Sequence, residues 1–334
     1  MAILTGTSQV AVNIQGYYDR NLLERALPSL VHGKYCQARP LPANSGTRIN
    51  FRRYNSLAVN TTKLQEGVTP TGKQASTTDI YATLSQYGDF IVYTDWLSMT
   101  TLDNSLVEFS GILGEQMGLT SDTLDRDVMV AGTSVRYAND VATRTSVATA
   151  ISATDMKAAI RILEGGNAKK ISEAIQAGAK IATVSVPTAY RAITHTDMRQ
   201  DFEDMAGFTK AQDYASQKGV QPDEIGAYGN VRIETTTNAK IWEAGGVVVA
   251  SGPGLVTSDD TNIDVYATVI LGANAVGTTP LQKGNIKNIV KKIGASGVDD
   301  ALDQRGSSGW KMAKVTKRLN EDFMVRIESG CTDL

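Results

Sequence analysis

The order of segments in this 334-residue chain predicts an α+β fold. Three observations carry that expectation. A threonine-rich stretch flanked by alternating strands opens the chain, one long amphipathic helix follows, and short strands close it, with no internal repeat. Hydrophobic residues make up 42%, enough for a sizeable core in one large domain or two to three small ones.

Residues 1–45 read as an arm. Leu22, Leu23, Ala26, Leu27 and Leu30 give 21–31 a helical pattern, and Pro40 and Pro42 then force an extended path. This segment has too little apolar surface for a core of its own, so it is expected to lie on something else.

Strand signals begin at Thr47, where Ile49 and Phe51 alternate with Arg48, Asn50 and Arg52. They resume at Ile80, Ala82 and Leu84 and again at Phe90–Tyr93. Between them, 55–78 is polar, with turn residues Gly67, Pro70 and Gly72. The spacing predicts a projecting β-hairpin with its tip at 64–74. Such a hairpin is marginal alone and calls for a partner chain.

A helix is predicted over 104–131, with Leu106, Phe109, Leu113, Met117, Thr120, Leu124 and Val128 as its apolar seam. Ser105 and Glu108 have capping-box spacing, and Gly132 supplies a stop. At 1.5 Å per residue it is about 40 Å long. Asp122, Asp125 and Asp127 on it read as an exposed charged face. A second helix is expected over 155–164, with Thr154 as cap and Gly165–Gly166 as stop. Strands are expected at 181–186, 190–194, 231–234, 247–250 and 265–271, with a helix over 197–205. At the end, 323–328 alternates, with 310–319 as its partner strand and Trp310 as the expected anchor.

Charge and motifs exclude several function classes. Thirty-three basic residues nearly cancel 35 acidic ones, against a dedicated nucleic-acid binder. Cys36 and Cys331 are too few for a disulfide scaffold and read as free thiols of a reducing compartment. No signal peptide and no membrane span are expected. His32 and Cys36 could share a helix face, but two ligands do not close a zinc site, and His195 reads as structural. Gly67–Gln74 comes close to a phosphate-binding loop. Gln74 replaces the magnesium-binding hydroxyl and a strand follows, so a glycine-rich hairpin tip is preferred. Asp299, Asp300 and Asp303 read as a solvated acidic turn. Nothing assembles an acid, a base and a nucleophile, so neither catalytic residues, a metal nor a cofactor is expected.

A set of short motifs resembles one family. Phe51-Arg52-Arg53-Tyr54-Asn55 is followed by Leu64-Gln65-Glu66-Gly67-Val68-Thr69-Pro70-Thr71-Gly72, Gln86-Tyr87-Gly88-Asp89 and Leu113-Gly114-Glu115-Gln116. Gly207-Phe208, Tyr214-Ala215, Gln304-Arg305-Gly306, Gly309-Trp310-Lys311 and Met324-Val325-Arg326-Ile327-Glu328 complete the series. In this order they are similar to the major capsid proteins of tailed phages of the coliphage N-four type. Thr133–Ala153 matches that family poorly, and 1–40 and the Cys331 tail are unplaced.

The resemblance implies the Hong Kong 97-type capsid fold: an arm (1–45), an extended hairpin loop (46–95), a peripheral domain with a spine helix (96–180 and 301–334) and an axial domain (181–300). It implies a virion protein, assembled in the bacterial host cytoplasm into hexamers and pentamers of an icosahedral shell. The shell would enclose double-stranded DNA, contacted without sequence specificity, and would meet scaffolding, portal and decoration proteins. Arg52, Arg53, Leu64, Glu66, Val68, Pro70 and Lys73 are the candidate intersubunit contacts. Two other readings compete: an encapsulin-like bacterial cage and an oligomeric α+β enzyme.

Overall fold

The computed structural model of the chain describes residues 30–40, 46–100, 105–172, 186–214, 220–251, 254–279, 286–295, 300 and 302–333. The expected helix at 21–31 and strand at 181–186 fall almost wholly outside them.

The described elements form an α+β fold with four sheets. The largest has eight strands: β5 (Val135–Tyr137), β6 (Tyr190–His195), β7 (Phe208–Lys210), β8 (Glu224–Tyr228), β9 (Val231–Thr236), β10 (Ile241–Trp242), β11 (Val265–Leu271) and β16 (Met324–Ser329). Its order is β5-β16-β11-β6-β9-β8-β7, with β10 also on β11. All seven residues of β11 are buried. A run this apolar and rich in β-branched residues suits a strand covered on both faces. The helix at Ala153–Gly165 packs Met156, Ala159 and Leu163 into the core beneath this sheet, with Phe202, Ile233, Ile270 and Val325. Its cap is Ser152 rather than Thr154. The Ser152 side chain accepts from the Asp155 amide while Asp155 reaches back, a complete capping box.

The hairpin pairs β2 (Arg48–Tyr54) with β3 (Thr77–Thr83) over seven residue pairs. Residues 55–76 connect them, and 56–76 are exposed throughout. Ile49, Phe51 and Ala82 bury one face of its base against Val315 and Leu319. The chain continues as β4 (Ser85–Thr94), the edge of a sheet in the order β13-β14-β4, with β13 at Ile286–Lys291 and β14 at Arg305–Lys314. A third small sheet joins β1 (Gln37–Ala38), β12 (Val276–Thr278) and β15 (Thr316–Arg318).

The long helix spans Ser105–Val130. Its first half packs Leu113 and Met117 against Trp310 and Met312 of β14. Its second half corrects the predicted seam. Leu124 and Val128 are only half-buried there, while Ser121, Asp122 and Asp125 are buried completely. The acidic face is therefore interior at Asp122 and Asp125, and exposed only at Asp127.

Other expectations change too. The 310–319 strand is two: it breaks at Val315 and enters two different sheets. It does not pair with the closing strand. β16 lies inside the large sheet, antiparallel to β11 and parallel to β5. Its alternation does not mark a wet face, because Arg326 and Glu328 are buried as well. Arg326 and Arg144 both donate to Glu328, at 2.7 Å and 2.6 Å, and their guanidinium groups lie over the Trp242 ring. Residues 247–250 form one bridge and a short 3-10 turn, not a strand. The 197–205 helix shortens to Arg199–Glu203. Asp300 is buried and accepts the Arg305 amide at 2.6 Å, so that turn is not solvated there.

Candidate assembly surfaces

Two features bear on what the chain does: the way residues 31–38 are fastened to the body, and what the hairpin and its sheet expose.

The segment 31–38 crosses the long helix on a buried carboxylate. Both oxygens of Asp122 are used. One accepts the backbone amides of Val31 and His32, each at 2.8 Å; the other accepts His32 Nδ1 and Asn238 Nδ2, each at 2.8 Å. Burial pushes the Asp122 carboxyl up, but the hydrogen bonds and charge of His32 and the bond from Asn238 bring it, on balance, below its ordinary value. His32 and Cys36 thus do not form a ligand pair: His32 is held by Asp122. Among the described residues, no group of three or more His, Cys, Asp or Glu is placed to hold a metal ion.

One turn later, Lys34 Nζ donates to Glu234 at 2.9 Å, and the Tyr35 hydroxyl donates to the same carboxylate. Gln37 and Ala38 then pair with Gly277 and Thr278. Beside them lies a second buried cluster. Asp125 accepts Lys314 Nζ at 2.7 Å, Thr278 Oγ1 at 3.0 Å and Thr316 Oγ1 at 2.5 Å, and Lys314 also reaches Ser121. Buried charges survive only when paired and hydrogen-bonded this fully. In the large sheet, Glu224 takes both Arg191 (2.8 Å) and Arg232 (2.5 Å).

Both cysteines are chemically quiet. Burial, then Asp125, pushes the Cys36 thiol well up; burial, then Asp201, pushes Cys331 up to about 12. The thiol form predominates in both, which disfavours nucleophilic chemistry. His195 accepts the Asp197 amide at 3.3 Å and packs on Tyr266.

The candidate contact residues occupy two separate places. Arg52 and Arg53 stand on strand β2, at the end of the ladder next to the exposed connection. Arg52 is engaged by Asp79 across the strands, at 2.8 Å and 3.1 Å. Both arginines line a cleft of about 630 Å³ with Phe51, Ile80, Leu319 and Phe323. Leu64, Glu66, Val68, Pro70 and Lys73 lie in the exposed connection. Lys73 folds back to the Ala58 carbonyl at 2.8 Å. Gly67 (φ 76°) takes the third position of a turn closed by the Val68 amide on the Gln65 carbonyl, a left-handed conformation that favours glycine. Residues 67–74 lead into strand β3, so no helix N-terminus faces them as a phosphate-binding loop requires.

Sequence reasoning missed a second exposed apolar surface. Phe90 and Val92 of β4, and Trp96 and Met99 of the short helix Asp95–Thr100, are 66, 53, 71 and 77% exposed. The alternation of Phe90 and Val92 was visible, but nothing in the sequence says which face of β4 the long helix covers. Large apolar groups left this open mark contact sites. Among the described residues, no helix is long and apolar enough to cross a membrane.

Neither a family model nor a curated protein matches the sequence. Solved structures do match its fold. The capsid of Ralstonia phage GP4 aligns with a TM-score of 0.66 at 11% identity, over 91% of this chain and 89% of that one. The capsid of the cyanophage P-SCSP1u aligns at 0.61 and 12%, also over 91% and 89%. The head of Helicobacter pylori bacteriophage KHP40 aligns at 0.60 and 12%, over 90% and 88%. The chain therefore shares the fold of these phage capsid chains, across nearly the whole length of both partners.

Proposed function

We propose that this chain is a major capsid protein, the repeating subunit of an icosahedral tailed-phage head enclosing double-stranded DNA. The observation that carries the reading is the near-complete, two-way coverage by capsid chains of several phages. The exposed hairpin and the apolar surface of β4 support it, because such surfaces are stable only when copies cover them. The ordered motifs from Phe51 to Glu328 favour the coliphage N-four type within this fold. Residues 1–45 serve as arm, 46–95 as extended loop, 96–180 with 301–334 as peripheral domain, and 181–300 as axial domain. Arg52, Arg53, Leu64, Glu66, Val68, Pro70 and Lys73 are the proposed contacts to a neighbour within hexamers and pentamers. Scaffolding, portal and decoration proteins complete the particle, assembled in the host cytoplasm, and DNA contacts are weak and sequence-blind.

Negative-stain microscopy of the expressed chain, with and without its scaffolding partner, tests the reading. Closed shells tens of nanometres wide are expected. A monomer of 35.7 kDa at every salt and protein concentration refutes it. Shells holding enzyme cargo instead of DNA favour the cage reading.

A further inference from the structure

Strand β2 has a free edge. Among the described residues it pairs only with β3. The Asn55 amide donates to the Ser76 carbonyl at 3.0 Å, and the Leu84 amide to the Thr47 carbonyl at 2.8 Å. An antiparallel ladder alternates, so the odd-numbered residues from 47 to 55 direct their backbone groups at β3. The N–H and C=O groups of Arg52 and Tyr54 therefore point the other way.

The cleft that holds Arg52 and Arg53 lies along that edge. Six consecutive residues, 51–56, line it, against one residue of β3, Ile80. At the strand rise this is about 20 Å of edge, enough for an added strand of about five residues. The far wall is the body of the chain. There Asn167 and Asn274 sit in left-handed turns (φ 54° and 61°) with exposed side-chain amides. An amide both donates and accepts, so these two suit the outer backbone edge of a strand laid beside β2. The floor is apolar, with Phe51, Leu319 and Phe323.

Charge selects the occupant. Among the described residues no carboxylate lines the cleft, in a chain whose net charge is -2. Arg52 is engaged by Asp79. Arg53 and Lys169 are exposed, and neither side chain has a hydrogen bond or ion pair among the described residues. Phe51 and Arg53, two apart, share one face of β2. A strand beside them is best matched by an apolar residue against Phe51 and a carboxylate two positions away. We propose that the cleft is a strand-addition site for an extended acidic segment of a partner protein. Its backbone pairs with the free edge of β2, an apolar side chain covers Phe51, and a carboxylate faces Arg53 and Lys169. This narrows the part given to Arg53 above, from contact with a neighbouring copy to contact with a strand of a second protein. It holds for the single chain, whether or not copies assemble. The rival occupant is the chain's own stretch 9–15, where Val10, Val12 and Ile14 alternate with Gln9, Ala11, Asn13 and Gln15. That stretch carries no charge and would leave Arg53 and Lys169 unmatched.

Fluorescence anisotropy with labelled peptides and the full-length chain tests the site. The probe is Thr-Val-Thr-Glu-Thr-Val-Thr-Glu, which alternates valine and glutamate along one face; the control has lysine for glutamate. The acidic peptide should bind at least about tenfold more tightly than the basic one, and Arg53→Glu should reverse the preference. Proline has no N–H, and at an outward position it leaves the ladder to β3 intact. Tyr54→Pro should therefore weaken the acidic peptide about tenfold relative to Tyr54→Ala, the worth of about one hydrogen bond. Circular dichroism checks that both variants fold. An acidic peptide N-methylated at alternate residues needs no change in the protein and should bind as weakly. No binding of the acidic peptide, equal binding of the acidic and basic peptides, or indifference to N-methylation overturns the site and leaves the shell reading intact. Tighter binding by a peptide of residues 8–16 makes the cleft a seat for the chain's own arm. Displacement of the probe by a short DNA duplex, at lower concentration than by unlabelled peptide, makes it a nucleic-acid site. Either result also overturns the proposal. A chain that binds the acidic peptide but never multimerises keeps the site and removes the shell reading.

Discussion

Removing one partner of the Asp125–Lys314 pair should cost far more than removing both. Lys314 is 3% exposed and Asp125 is 1% exposed. Asp125→Leu leaves the ammonium inside the protein with only the Ser121 hydroxyl, which accepts one hydrogen bond but does not neutralise a full charge. Stranding a buried charge this way costs about 3–5 kcal/mol. Lys314→Met strands the carboxylate, but Thr278 and Thr316 still donate to it. Hydrogen bonds to a charged group are worth about 1.5–3 kcal/mol each, so this variant should lose less, about 2–3 kcal/mol. Asp125→Leu combined with Lys314→Met replaces the pair by apolar groups of similar size and should lie within about 1–2 kcal/mol of wild type. The cycle therefore predicts a coupling of at least about 3 kcal/mol. Urea unfolding followed by tryptophan fluorescence measures it, as shifts of midpoint at constant slope. Single variants that each lose under about 1 kcal/mol, or a double variant that loses their sum, would show that the cluster is not a buried ion pair.

Trp310 is 4% exposed and donates Nε1–H to Gln116 at 3.0 Å, so Trp310→Ala should cost about 3–5 kcal/mol; an unchanged melting curve refutes its place in the core. The lowered Asp122 carboxyl gives stability that is complete above the unfolded carboxylate range, about pH 4, and is lost as pH falls through the folded value. Asp122→Asn should flatten the acid limb of stability against pH, and an equally steep limb contradicts the latch on residues 31–38. Replacing 65–73 by a short turn should leave the far-ultraviolet spectrum and melting midpoint unchanged but abolish shells. Normal assembly by that variant removes the hairpin as an intersubunit contact. In intact protein, amides of 56–76 should exchange within seconds in the free subunit and more slowly in shells; equal rates in both argue the same way.

The sequence determined the elements whose signal is local. Alternation at Ile49, Phe51 and Ala82 fixed the hairpin base, with Gly67 in the turn at its tip. The spacing of Leu113 and Met117 located the long helix to within a residue or two of Ser105–Val130. The run Val265–Leu271 has one reading as a buried strand. These patterns depend on residues a few positions apart, so a periodicity reveals them. Pairing across the chain was decided elsewhere. Met324–Ser329 reads as an alternating strand partnered by 310–319, yet it lies between β11 and β5, where Arg144, 184 residues from Glu328, pairs that carboxylate in the interior. Asp122 and Asp125 look like a solvated face until His32, Asn238, Thr278, Lys314 and Thr316 converge on them from four other segments. A carboxylate costs several kcal/mol to bury unless donors surround it, and whether they do is a property of the assembled fold. For the same reason the cleft beside β2 is invisible in the sequence: its strand edge comes from the hairpin, its amides from the turns at Asn167 and Asn274, and only the packing of Ile49, Phe51 and Ala82 on Val315 and Leu319 sets them face to face.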